Sequence, residues 1–123
     1  MKIAGLISQL LLGFVFVVFG SNAFLHFIPM PPPTGQAAEF LGAMFASGYF
    51  YVVAVLQIVG GLLLLSGRFA SLGLITVGPI IVNILLFHIF LAPSGLPLAI
   101  VVSILALIAL AYHRQAFLGL LRA

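Results

Sequence analysis

A chain of 123 residues, 65% of them hydrophobic and 4% charged, has too little polar surface to cover a water-soluble globule. Its mean hydropathy of +1.45 assigns it to a bilayer, and a net charge of +3 built from four scattered cations makes no patch for nucleic-acid phosphates. The absence of cysteine excludes disulfides, thiol catalysis and thiolate-held metal or iron–sulfur centres.

A membrane helix needs about 20 apolar residues, and four runs meet that need: Ile3–Leu25, Tyr49–Leu65, Phe69–Leu91 and Leu96–Tyr112. The expected fold is all-α, a single four-span transmembrane bundle over residues 1–123. The first run begins after Lys2 and passes Ser21-Asn22-Ala23, which loosely matches a signal-peptidase site. A signal peptide's apolar region covers only about 7 to 15 residues, so this longer run reads as a retained span.

Its exit is abrupt. Pro29, Pro31, Pro32 and Pro33 supply no backbone donor and resist helix, so the chain leaves the first span near Phe27 and runs extended across the membrane surface. Phe40, Leu41, Met44 and Phe45 then recur at helical spacing between Gln36 and Ser47, with Gln36 and Glu39 for the wetter side. A short interfacial helix closed by Gly48 is expected there. The segment Pro29–Ser47 serves either as a stiff connector or as a lid over the bundle.

Beneath it, polar side chains gather at similar depth. At about 1.5 Å per residue, Gln57 in the second span and Asn83 in the third each lie roughly 12 Å from the outer end, and Ser103 in the fourth roughly 10 Å. Asn22 and His26 lie four residues apart on one face of the first span. Gln57 shares its face with Gly60 and Gly61, and Ser103 with Ala99 and Ala106, small surfaces that also suit close helix packing. Pro79 frees the carbonyl of Ile75 and is expected to kink the third span one turn below Asn83. The inner half holds only Ser8, Gln9, Ser71 and Thr76 as polar residues.

His26 and His88 both fall at outer span ends, where a paired haem, or a metal shared with Glu39 and Met30, is conceivable on ligand type. About 140° separates Asn83 from His88 around their helix, so His88 suits only the rim of a pocket, and no metal site is expected. His113 beside Arg114 reads as a headgroup-level anchor. Lys2, Arg68, Arg114 and Arg122 all fall on one side of the four spans, which by the positive-inside rule is the cytoplasmic side, with both termini there.

The stretches SNAFLHFIPMPP, SGYFYVVAVLQIVGGLLLLSGRFASLGL and GPIIVNILLFHIFLAPSG resemble the DoxX family of small bacterial four-helix membrane proteins, over nearly the whole chain. The resemblance implies a bacterial inner-membrane protein associated with redox systems, some relatives being linked to quinone-coupled sulfur oxidation. The chain departs from that pattern where relatives often carry an acidic residue at the position of Gln57, or a lysine or glycine near Ala23. With no buried carboxylate and no thiol there is no self-sufficient catalytic constellation, so any redox chemistry belongs to a bound quinone or a partner protein. Drug transport of the small multidrug type needs an intramembrane carboxylate, and Glu39 lies outside the spans.

The expected site is therefore a quinone- or lipid-binding pocket in the outer half, lined by Asn22, Gln57 and Asn83, with His26, Glu39 and His88 at its mouth. The expected surroundings are lipid, membrane or soluble redox partners, and further copies of the chain. The alternative is a structural or assembly protein whose polar groups only join helices.

Overall fold

A computed structural model of the protein describes residues 2–29 and 32–121, the last by its backbone alone; Met30, Pro31 and Arg122 lie outside the described residues. Six α-helices follow in order: α1 (Lys2–Leu25), α2 (Gly35–Ser47), α3 (Tyr49–Ser66), α4 (Ala70–Phe90), α5 (Leu96–Tyr112) and α6 (Arg114–Leu118). Single 3-10 turns cover Pro93–Gly95, before α5, and Gly119–Leu121, after α6. No strand occurs among the described residues.

Four of the helices are long and apolar enough to cross a bilayer: α1 with 24 residues, α3 with 18, α4 with 21, and α5 with its preceding turn with 20. Their mean hydropathy runs from 2.1 to 2.5, and a rise of about 1.5 Å per residue makes the shortest about 27 Å long, close to a hydrocarbon core of about 30 Å. The fold is a four-span helical membrane bundle. Large apolar side chains such as Phe14, Val52, Leu86 and Leu107 point outward, as lipid-facing surfaces require.

Since lipid tails are as apolar as leucine, burial alone does not press these helices together, and close contact falls to small residues. α1 and α3 run antiparallel with their backbones nearly touching. A Cβ added at Gly13 would lie 2.8 Å from the Gly61 carbonyl oxygen, and one at Gly61 would lie 2.7 Å from that of Gly13. Gly20 meets the Ala54 carbonyl in the same way, and Gly73 of α4 meets that of Gly60. α1 packs on α3 and α5, and α4 packs on the same two, so the spans form a ring in chain order around a core of Leu12, Phe16, Leu64, Leu74, Val77 and Val102.

The two ends of the bundle differ. At one end Gly5 faces the Tyr112 ring and Gln9 reaches the end of α3, which brings together Lys2, Arg68 and Arg114. At the opposite end lie the proline-rich segment, α2 and the Pro93–Gly95 turn, with Glu39. α2 starts after an extended Thr34 and ends at Gly48, whose φ of 83° makes the sharp corner into α3. It lies against this end of the bundle through aromatic rings: Phe40 sits 5.7 Å from Phe87 of α4, Phe45 stacks on Phe50 at 4.3 Å, and Tyr51 lies between Phe45 and Phe24. The short helix expected after the prolines is present, one residue longer at its start.

Candidate functional site

At the C-terminal end of α1 the chain turns through His26, which is exposed and holds a left-handed φ of 52°. Such a conformation costs a non-glycine residue about 1–3 kcal/mol and needs local support. Asn22 gives it: its Oδ1 accepts the Ile28 N–H at 2.8 Å, and its backbone carbonyl accepts the His26 N–H at 2.9 Å. The pair recognised by spacing thus builds the exit from the first span, and Asn22 retains its amide N–H donors for other partners.

Gln57 and Asn83 face different surroundings. Gln57 is 8% exposed and packs against α1 beside Gly20. It makes no hydrogen bond to another described residue, and its amide atoms each keep a small accessible surface. Asn83 is exposed on the lipid side of α4, and its Nδ2 donates back to the Pro79 carbonyl at 2.9 Å. Ser103 likewise closes on its own helix, donating to Ala99 O at 2.8 Å. A helical side chain of this kind bonds its own backbone when no neighbouring helix presents a partner.

Glu39 is exposed on α2. His88 is half-buried, its ring lying over Gly95 and meeting Phe87 edge-on. His88 Nδ1 lies 2.8 Å from the Ile84 carbonyl, which can only accept, so Nδ1 carries the proton. The six expected residues therefore do not line one wall: Gln57 points into the α1–α3 seam, Asn83 to lipid, and His88 to the α4–α5 connection. Among the described residues no group of three His, Asp or Glu could hold a metal ion.

The most buried polar group lies at the other end. Gln9 is 1% exposed, donates through Nε2 to the Leu64 carbonyl at 2.8 Å, and its Oε1 lies 2.7 Å from His113 Nε2. Because the carbonyl can only accept, the amide orientation is fixed, and His113 must donate its Nε2–H. His113, expected at headgroup level, is instead half-buried and tied to α1 across the bundle. The sequence signal for Gln9 is its place on the close-packing stripe Gly5, Gln9, Gly13, which a count of polar residues per membrane half overlooks.

A groove of about 450 Å³ runs between α4 and α5, and its lining is apolar apart from Ser103 and the backbone around Pro79. Phe117 of α6 lines it as well as a smaller hollow of about 250 Å³ beside it, which Arg114 borders. Fold and polar groups together define a multi-pass helical membrane protein in which the buried Gln9 amide joins helices. No family model, curated protein or solved structure matches the chain.

Proposed function

We propose that the protein is a DoxX-like component of a redox system in the bacterial inner membrane, with both termini cytoplasmic, and that it binds an isoprenoid quinone or a similar lipid in its outer half. The observation that carries this reading is Gln57: a residue 8% exposed, about 12 Å from the outer end of α3, whose amide makes no hydrogen bond among the described residues and keeps a small surface open to a ligand. A polar group left unpaired in an apolar surrounding costs roughly 1–3 kcal/mol, and a ring carbonyl accepting from its Nε2 would remove that cost. The neighbouring helix offers Asn22 N–H donors, the aromatic cluster of Phe24, Phe45 and Tyr51 suits a planar ring, and the isoprenoid tail would follow lipid. The chain supplies binding and orientation, while electrons come from the quinone and a partner protein.

A second reading, a structural or assembly protein, draws on Asn22, Asn83, Ser103 and His88, all of which are already bonded to backbone. Mass spectrometry of lipids extracted from protein purified out of a quinone-containing membrane separates the two. The parent should retain quinone, Gln57→Leu should retain about five- to tenfold less if one hydrogen bond of about 1 kcal/mol is lost, and Asn83→Leu should match the parent. Equal retention by parent and Gln57→Leu, or none by the parent, leaves the structural reading as the account.

A further inference from the structure

We propose a lipid site at the opposite end of the molecule: the α4–α5 groove seats one acyl chain of an anionic phospholipid whose phosphate is held at Arg114. Three observations point to this occupant. The first is length. Along α4 the groove runs from Leu85 to Leu74 and along α5 from Ser103 to Leu110, and the smaller hollow that shares Leu107, Leu110 and Phe117 with it continues to Arg114, so Ser103 and Arg114 are eleven rises or about 16 Å apart. Half of a hydrocarbon core of about 30 Å is about 15 Å, so the α5 wall from Ser103 inward matches the acyl chain of the leaflet at the Arg114 end, while the α4 wall continues past the midplane to Leu85.

The second is charge. Lys2, Arg68 and Arg114 stand at that end and the sole acidic residue, Glu39, at the other. Arg68 lies just before α4 and Arg114 just after α5, so each wall of the groove has a cation at its headgroup end. Arg114 is exposed and commits only Nη1, donating to Ala111 O at 3.3 Å. Its other N–H donors remain for phosphate oxygens. The third is lining. Leu107 is 64% exposed within an otherwise apolar cleft, a surface that suits a hydrocarbon chain and offers nothing to a polar ligand. The inference is independent of the Gln57 site, which lies on other helices and nearer the other end.

The chain has no tryptophan, so one introduced fluorophore reports on one place. Leu107→Trp puts it in the groove, seven residues above Arg114; Val59→Trp, seven residues from Ser66 on lipid-exposed α3, is a depth-matched control. The full chain is reconstituted in phosphatidylcholine vesicles with acyl-brominated phosphatidylglycerol, or brominated phosphatidylcholine, as a minor component. Brominated phosphatidylglycerol should quench the groove fluorophore more than the control, and brominated phosphatidylcholine should quench both alike. Arg114→Gln should lower the phosphatidylglycerol preference at the groove about fivefold, the effect of one arginine at a lipid surface, while Arg114→Lys keeps most of it. Equal quenching by the two lipids at Leu107→Trp, equal phosphatidylglycerol quenching at both positions, or no response to Arg114→Gln overturns the proposal. So does an unquenched groove, which a second protein copy would produce. Leu110→Trp, in the same groove, repeats the test if Leu107→Trp loses helicity by circular dichroism.

Discussion

Gln9 joins three helices through one amide. The Leu64 carbonyl belongs to the last turn of α3, where carbonyls lack a partner four residues on. The N–H of Arg68, which would have served, turns instead to Ser66 Oγ at 3.3 Å. Gln9 of α1 supplies the missing donor, and its oxygen then collects His113 from the end of α5. Replacing Gln9 with Leu leaves a buried carbonyl and an imidazole N–H unpaired and should cost about 1–3 kcal/mol. Asn83→Leu breaks only a bond within α4 at a lipid-exposed position and should change stability by less than about 0.6 kcal/mol, the mean for side-chain bonds between membrane helices. Reversible unfolding in mixed micelles measures both, and the opposite ranking would remove Gln9 from its place as the main polar tie of the bundle.

At the scale of elements, stability rests on how closely backbones approach. Gly61→Ala drives a Cβ against the Gly13 carbonyl and Val17, so it should destabilise by about 1–3 kcal/mol as overpacked sites do. Gly42→Ala in α2 meets nothing within 4 Å and removes a helix-interior glycine, so it should stabilise by roughly 0.5–1 kcal/mol. The same unfolding assay separates them. The spans and the helix after the prolines were legible because run length and proline chemistry are local, and their ends fall within a residue or two of expectation. Which way a polar residue faces was less legible, because depth along a helix leaves azimuth open. Gln57 and Asn83 lie at equal depth, yet one faces a neighbouring helix and the other lipid. The turn of α6 after His113 was not foreseen, since its five residues are too few to show a period.

For the whole molecule, function depends on the separation of the two ends of the bundle. The proline-rich segment, Gln57 and the aromatic cluster belong to the outer half, and Arg114 belongs to the inner leaflet, only if four spans alternate through one bilayer. The chain has no cysteine, so single cysteines introduced at exposed Thr34, Ser94, Ser66 and Gln115 can be read without background. Labelling intact cells with a membrane-impermeant thiol reagent, before and after permeabilisation, tests the arrangement directly. Thr34→Cys and Ser94→Cys should react in intact cells, and Ser66→Cys and Gln115→Cys only after permeabilisation. Reaction of Thr34→Cys and Gln115→Cys from the same side would contradict the four-span bundle.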